Sequence, residues 1–173
     1  LMALGKVIFS REDIDRRTAE LACEINAFIP AGKIHVIITL KGALYFGVDL
    51  IRALGRQVTI GFITASSYGD GSESSGEVLL KAKDTGEITA RRVLIVEDII
   101  DTGRTLESVV NTIRSRKPAS VHTVAFIDKP SRREVAIDAD FVGFPVEDVF
   151  LVGYGLDYAE AYRELPCIRF FEP

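Results

Sequence analysis

Apolar, β-branched runs alternate with helical patterns along this chain, and this alternation constrains the fold more than any other feature. Residues 34–39 and 93–96 are typical of strands buried on both faces, and each precedes apolar residues at helical spacing, at 44–51 and 106–113. Strands separated by helices favour a parallel sheet that helices cover on both faces. The predicted fold class is therefore α/β.

The remaining elements fit the same plan. Ser10 can cap a helix predicted at about 11–28. The chain has 173 residues, 47% of them hydrophobic, and can bury one sizeable core, so a single domain is expected over 1–173. Four more segments carry strand patterns, the last two of them short: 58–65, 121–127, 141–144 and 149–152.

Composition argues against several classes of partner. The formal net charge of -4 and the pI near 5.3 disfavour nucleic-acid binding. No apolar run approaches the about 20 residues of a membrane span, and the N-terminus lacks the features of a signal peptide, so a cytoplasmic protein without a membrane partner is predicted. Cys23 and Cys167 are too few for a disulfide framework or a four-ligand zinc site, and both are predicted to be buried thiols.

One segment departs from the strand and helix patterns. Residues 66–76 read S-S-Y-G-D-G-S-E-S-S-G, which is too rich in Ser and Gly for a core element. Long loops inside compact domains are usually functional lids or disordered connections, and composition alone leaves both open. The strand patterns on either side favour a mobile flap that projects from the sheet.

The segment 93–105, V-L-I-V-E-D-I-I-D-T-G-R-T, is predicted to bind a phosphate group. A strand leads into a short loop, and the loop leads into a helix that begins near Leu106. Loop amides and the helix N-terminus would attract an anion, Thr102 and Thr105 offer hydroxyls, and Gly103 permits a close backbone approach. The two common nucleotide motifs, G-x-x-x-x-G-K-[ST] and G-x-G-x-x-G, do not occur in the chain.

Glu97 and Asp98 precede this loop and would repel a phosphate unless something stands between them. Carboxylates accept hydrogen bonds from vicinal ribose hydroxyls and can hold hydrated Mg²⁺. An isolated D-T-G would more simply begin a helix beside a solvated acidic pair. The whole pattern after an apolar strand instead favours a ribose 5-phosphate, which the chain would bind from its hydroxyls to its phosphate.

The same segment resembles the phosphoribosyl pyrophosphate signature of the hypoxanthine-guanine phosphoribosyltransferases. The resemblance extends over about 7–171 and implies the type I phosphoribosyltransferase fold. That fold has a central, mostly parallel sheet flanked by helices, a small hood from the N- and C-terminal segments, and a mobile flap, here at about 66–80. Further motifs occur in the family's order: L-K-G at 40–42, S-S-Y-G at 66–69, D-K-P at 128–130 and V-F-L-V-G-Y-G-L-D-Y at 149–158.

The resemblance also implies residue roles on the sugar-phosphate side of a site. Glu97 and Asp98 would meet the ribose hydroxyls, and Asp101 would exchange a proton with N7 of a purine. Asp157 would be a ligand of Mg²⁺, with Glu97 and Asp98 also assigned to the metal. The loop around the 5-phosphate would consist of Asp101, Thr102, Gly103, Arg104 and Thr105.

Other roles implied by the resemblance concern the leaving group and the base. Pyrophosphate would be bound by Arg163 and by a loop that often contains a non-proline cis peptide in the family. Two flap residues would close over the site. Judged by pattern alone, the phenylalanine would be core. Each lysine could be solvated, but Lys129 follows a strand end at the edge where open α/β sheets bind ligands, and Lys41 lies in a strand-Lys-Gly-helix turn that favours an anion. The pyrophosphate loop is Leu40, Lys41 and Gly42; the base contacts are Lys129, Phe150, Leu151 and Asp157; the flap residues are Ser67 and Tyr68.

The activity that the resemblance implies is transfer of the 5-phosphoribosyl group from phosphoribosyl pyrophosphate to N9 of hypoxanthine, and of guanine. The products would be IMP or GMP and pyrophosphate, with Mg²⁺ as the cofactor and a homodimer or homotetramer as the assembly. Two alternatives stay open. One is a xanthine-guanine phosphoribosyltransferase, and the other is a regulator that keeps the fold and binds nucleotides or nucleic acid without catalysis.

Overall fold

The computed structural model describes residues 4–67 and 78–172, apart from the side chains at 66, 67, 78 and 79. The α-helices in these ranges are α1 (Arg11–Phe28), α2 (Leu44–Leu54) and α3 (Arg104–Arg114). The strands are β1 (Leu4–Phe9), β2 (Ile34–Leu40), β3 (Val58–Ser67), β4 (Val78–Lys81), β5 (Arg92–Ile100), β6 (Ser120–Asp128), β7 (Phe141–Pro145), β8 (Leu151–Val152) and β9 (Ile168–Phe171).

The main sheet has six strands in the order β4-β3-β2-β5-β6-β7. Its strands run parallel except for β4, which pairs antiparallel with β3. Successive side chains of the central strands face opposite sides, so Val36 and Ile38 pack beneath α1 and α2 while Ile37 packs beneath α3. The predicted α/β class, with a mostly parallel sheet between helices, is confirmed.

Helix α1 begins where the sequence predicts. Ser10 Oγ accepts a hydrogen bond from the Asp13 amide at 3.1 Å, and Asp13 Oδ2 accepts one from the Ser10 amide at 3.1 Å. This reciprocal capping satisfies two backbone donors that the first turn would otherwise leave unpaired. None of the helices in the described ranges is both long and apolar enough to cross a membrane.

A second, three-stranded sheet joins the two ends of the chain in the order β1-β9-β8. Its pairs are antiparallel, with Val7 opposite Arg169 and Leu151 opposite Phe170. The sequence pattern predicted neither β1 nor β9, because each is short and gains its partner only from the other end of the chain. These are the terminal segments that the resemblance assigns to a hood.

The predicted boundaries between β5 and α3 are wrong. Strand β5 does not end before the acidic pair but continues through Glu97 and Asp98 to Ile100, and α3 begins at Arg104 rather than near Leu106. The cause is pairing with β6, which continues as far as Ile100 opposite Asp128. The two carboxylates therefore project from a rigid strand end and not from a loop.

The prediction for the cysteines is also wrong. Cys23 is exposed and Cys167 is only partly buried. The buried side of α1 contains Leu21, Ala22 and Ile25, and one residue of a helix turns the next side chain by about 100°. Cys23 accordingly points away from the core.

Strands β3 and β4 lead into the predicted flap. β3 runs to Ser67, beyond the predicted end at 65, and pairs there with Val78 of β4. Tyr68 lies outside the described residues, as do the other residues of 68–77. The flap at about 66–80 therefore stays a prediction.

Candidate active site

The predicted site residues converge at the carboxyl edge of the main sheet. A cleft of about 350 Å³ opens there between the ends of β2 and β5, the start of α3 and the segment that carries Asp157 and Arg163. Open parallel sheets bind ligands at this edge, because the loops that leave neighbouring strands diverge there. The cleft is lined by all of the predicted pyrophosphate-binding residues and by most of the predicted phosphate loop.

The start of α3 has the form of an anion site. Gly103 is the N-cap residue with φ of 87° and supplies no side-chain cap, while Thr102 Oγ1 makes only a 3.4 Å contact with the Arg104 amide. A Cβ atom at Gly103 would come within 2.9 Å of side-chain atoms of Arg133 and Ile137. The positive φ favours glycine here, and the start of α3 lines the cleft, where a helix N-terminus attracts a phosphate.

Glu97 lies at the floor of the cleft. It is only 4% exposed, and its Oε2 atom has no hydrogen-bond partner, nor has the nearby buried Oγ1 of Thr39. Burial raises the pKa of Glu97, and the neighbouring charge of Asp98 raises it further. An unpaired buried acceptor of this kind favours a ligand that brings donors or positive charge.

Asp98 lies directly over the predicted pyrophosphate loop. A Cβ atom on Gly42 would fall 1.5 Å from Asp98 Oδ2, so only glycine fits there. Asp98 Oδ1 accepts a hydrogen bond from the Ile99 amide at 2.9 Å. The peptide between Leu40 and Lys41 is cis, as the resemblance implied.

The two predicted pyrophosphate-binding cations are already paired with carboxylates. Lys41 Nζ lies 2.9 Å from Glu160 Oε2, with the Lys41 side chain 66% exposed, and the pKa of Glu160 is lowered chiefly by Lys41. Arg163 Nη2 lies 2.9 Å from Asp157 Oδ1. The sequence pattern did not single out Glu160, since its partner Lys41 is distant along the chain and only the fold brings the two together.

A second cavity of about 440 Å³ adjoins the cleft and contains the predicted base contacts. It shares Asp98, Ile99, Asp101 and Asp157 with the cleft, so the two cavities lie side by side. Lys129 is only 7% exposed, whereas the Phe150 ring is 42% exposed. The core interpretation that the pattern favoured for Phe150 is therefore wrong, and of the two alternatives for Lys129 the solvated one does not apply.

Asp101 stands at the boundary between the two cavities, and its carboxylate is paired. Arg132 Nε lies 2.9 Å from Asp101 Oδ1. Asp148 lies 3.6 Å from Arg132 and 3.8 Å from the Lys129 ammonium. Arg132 and Asp148 line the base cavity, but no pattern in the sequence distinguished them from other surface charges.

The carboxylates do not form a metal site by themselves. Among the described residues no three His, Cys, Asp or Glu side chains gather closely enough to hold an ion, and Glu97, Asp98 and Asp157 are included in that finding. Asp98 and Asp157 nevertheless face the same cleft. This arrangement fits Mg²⁺, which proteins usually hold through one or two carboxylates together with waters and substrate phosphates.

This fold and cleft have known counterparts. The family model of the phosphoribosyl transferase domain matches residues 8–159, so the chain belongs to the phosphoribosyltransferase family. Within that family it is similar to hypoxanthine-guanine phosphoribosyltransferases. The hypoxanthine-guanine phosphoribosyltransferase of Bacillus subtilis is 46% identical over 171 residues, which cover 98% of this chain and 94% of that protein.

A solved structure and a longer relative agree with this grouping. The crystal structure of a hypoxanthine-guanine phosphoribosyltransferase from Bacillus anthracis superposes with a TM-score of 0.91 and is 41% identical, covering 97% of this chain and 99% of that one. The bifunctional protein TilS/HprT of Listeria innocua is 45% identical over 98% of this chain, but the chain spans only 26% of that protein.

Proposed function

We propose that this chain transfers the 5-phosphoribosyl group from phosphoribosyl pyrophosphate to N9 of hypoxanthine or guanine, giving IMP or GMP and pyrophosphate in purine salvage. One observation carries the proposal. The phosphate loop, the buried carboxylate pair and the cationic loop line one cavity, and the base cavity lies beside it, with Asp98, Asp101 and Asp157 in both linings. The two substrates require such an arrangement, with the 5-phosphate at one end of the ribose and with pyrophosphate and base on either side of C1.

The sugar-phosphate substrate would lie along the end of β5. The loop from Asp101 to Thr105 and the α3 N-terminus would hold the 5-phosphate, with Arg104 at the rim. Glu97 and Asp98 would accept hydrogen bonds from the ribose hydroxyls. The unpaired Oε2 of Glu97 supports this assignment, because a ribose hydroxyl would satisfy it.

Breaking the bond from C1 to pyrophosphate leaves positive charge on the ribose and negative charge on the departing group. Lys41 and Arg163 would exchange Glu160 and Asp157 for the pyrophosphate oxygens, and the Gly42 backbone would approach them closely. Mg²⁺, when bound, supplies charge neutralisation on the pyrophosphate. Asp98 and Asp157, together with Glu97 in the same cleft, would hold it.

The base would occupy the second cavity. Phe150 would stack on the purine, the main chain of Leu151 would meet its edge, and Lys129 would donate to the 6-oxo group. Asp101, between the cavities, would exchange the proton of N7. A flap with Ser67 and Tyr68 would exclude water, which competes with the base for C1. Most of this flap, residues 68–77, lies outside the described residues.

The test of this function is a spectrophotometric assay with Mg²⁺, phosphoribosyl pyrophosphate and one of hypoxanthine, guanine, xanthine or adenine. We expect turnover of hypoxanthine and guanine. Turnover of xanthine in preference to hypoxanthine would move the chain to the xanthine-guanine enzymes. Absence of any transfer, together with tight RNA or DNA binding, would establish the regulator instead.

The carboxylate pair provides a prediction on substrate affinity. Changing Glu97→Gln and Asp98→Asn together should weaken phosphoribosyl pyrophosphate binding at least about tenfold, since charge-assisted hydrogen bonds contribute about 1.5–3 kcal/mol each. Calorimetry in Mg²⁺ measures the affinity. The matched control, Asp138→Asn with Glu147→Gln, removes two exposed carboxylates that do not line the cleft and should leave affinity unchanged. Equal affinity of parent and cleft variant would remove the ribose assignment.

The proposed assembly is a homodimer or homotetramer. Leu44 and Val48 on α2 and Ile60 on β3 are large apolar side chains that remain at least partly exposed in the isolated chain. Burial against a second copy would remove this apolar surface from water. Sedimentation velocity should therefore show a dimer or tetramer, and changing Leu44→Glu with Val48→Glu should shift it towards monomer. A monomeric parent protein at micromolar concentration would contradict the proposal.

A further inference from the structure

Tyr154 forms a buried link between three parts of the chain. Its side chain is 2% exposed, and its hydroxyl donates to Asp49 Oδ2 of α2 at 2.8 Å. Arg11 of α1 lies 2.8 Å from the same carboxylate and places its guanidinium 5.5 Å from the centre of the Tyr154 ring. Burial, together with the hydrogen bond to Asp49, raises the pKa of Tyr154, so the hydroxyl remains a donor.

The next residue, Gly155, lies between the pyrophosphate loop and Arg163. A Cβ atom on Gly155 would fall 2.0 Å from the Gly42 carbonyl oxygen, and its φ of 101° also requires glycine. The Gly155 carbonyl accepts a hydrogen bond from Arg163 Nη1 at 2.7 Å, and its amide donates to the Arg163 carbonyl at 3.0 Å. A shift of Gly155 would therefore move both groups that are proposed to bind pyrophosphate.

The other end of the link reaches the same loop. Asp49 lies on α2, and α2 follows the pyrophosphate loop directly, with the Leu44 amide donating to the Lys41 carbonyl at 3.2 Å. The Tyr154–Asp49 bond thus fixes the Gly155 segment to the helix that starts at this loop. The bond therefore connects the two parts of the proposed pyrophosphate site, the loop at Gly42 and the segment from Gly155 to Arg163, at a point away from their contact at Gly42.

We propose that Tyr154, held by Asp49 and Arg11, is a positioning residue for pyrophosphate: it sets the distance between the Gly42 loop and the Gly155–Arg163 wall. This inference rests on the proposed function. Tyr154 lines neither cavity, so it acts on the substrate only through Gly155 and Arg163. A purely structural role would reduce stability and affect all substrates alike, whereas a positioning role affects the pyrophosphate-bearing ligands selectively.

The principal variant is Tyr154→Phe, which keeps the ring and removes the hydrogen bond. We expect KM for phosphoribosyl pyrophosphate and Ki for pyrophosphate each to rise about fivefold, since small displacements of binding groups weaken oriented contacts, while KM for hypoxanthine stays within about twofold. The matched control is Tyr45→Phe. Tyr45 is a partly exposed tyrosine of α2, its ring centre lies 6.2 Å from that of Tyr154, and its hydroxyl has no hydrogen bond to described residues, so all three constants should stay at parent values.

A double-mutant cycle with Asp49→Ala identifies the link itself. Asp49→Ala also removes the ion pair with Arg11. If the Tyr154–Asp49 bond carries the effect, Tyr154→Phe should therefore raise the pyrophosphate Ki much less in the Asp49→Ala background than in the parent, because the shared bond is lost only once. Equal changes in all three constants, or unchanged constants in Tyr154→Phe, would overturn the inference, as would a simple sum of the two effects. Loss of folding in both single variants, seen by thermal unfolding, would show a structural role only. A parent enzyme without phosphoribosyl transfer would instead remove the proposed function.

Discussion

Changing Asp101→Asn should lower kcat by about 10²–10⁴-fold while substrate affinities stay near those of the parent, because an amide can hydrogen-bond the purine but cannot exchange its proton. Asp101 suits this role through its position. It is shared by the sugar-phosphate cleft and the base cavity, which places it next to any purine whose N9 faces the ribose. The contact with Arg132 holds the Asp101 carboxylate at this boundary.

Single-turnover rates with saturating substrates measure this prediction, since they separate the chemical step from product release. The matched control is Glu147→Gln, which removes an exposed carboxylate outside both cavities. It should retain the parent rate. If Asp101→Asn also stays within about threefold of the parent, Asp101 only positions the base and proton transfer must be assigned elsewhere.

The parts of the fold that sequence predicts are those governed by local periodicity. The buried runs of β2 and β5 and the capped helix α1 each carry a complete signal in consecutive residues. Strands β1 and β9 carry no such signal, because each is defined by pairing with the opposite end of the chain. The extension of β5 through Glu97 and Asp98 likewise depends on β6, which no local pattern could indicate.

The residues of the site likewise fall into those that the sequence predicts and those that it does not. The groups at strand ends and at the α3 N-terminus follow from the order of elements, since parallel strands bring their carboxyl ends to one edge. The charged partners of those groups do not follow from the order of elements. Glu160 beside Lys41 and Arg132 beside Asp101 are pairs formed by tertiary structure, and each member alone resembles any other surface charge. The pairs matter for mechanism, because substrate must replace them.

Base choice provides the second large expected effect. Lys129 is a buried ammonium group in the base cavity, and Asp148, the carboxylate closest to it, lies 3.8 Å away. An ammonium group can only donate hydrogen bonds. The 6-oxo group of hypoxanthine accepts such a bond, whereas the 6-amino group of adenine presents donors. Adenine would leave Lys129 desolvated against another donor, and discrimination of this kind reaches about 10⁴–10⁵ in kcat/KM.

Lys129→Ala should therefore lose most activity on hypoxanthine and narrow the ratio of kcat/KM for hypoxanthine to that for adenine. It need not become a good adenine enzyme, since the main chain near Leu151 would still contact the purine edge. The ratio is obtained for the parent and for the variant by measuring kcat/KM on the two bases. The matched control is Lys83→Ala, which changes an exposed lysine outside the cavities and should keep the parent ratio. An unchanged ratio in Lys129→Ala would show that Lys129 does not contact the 6-position. Recognition of the 6-oxo group would then have to lie with another group of the cavity, and among the described residues Arg132 is the other cationic side chain that lines it.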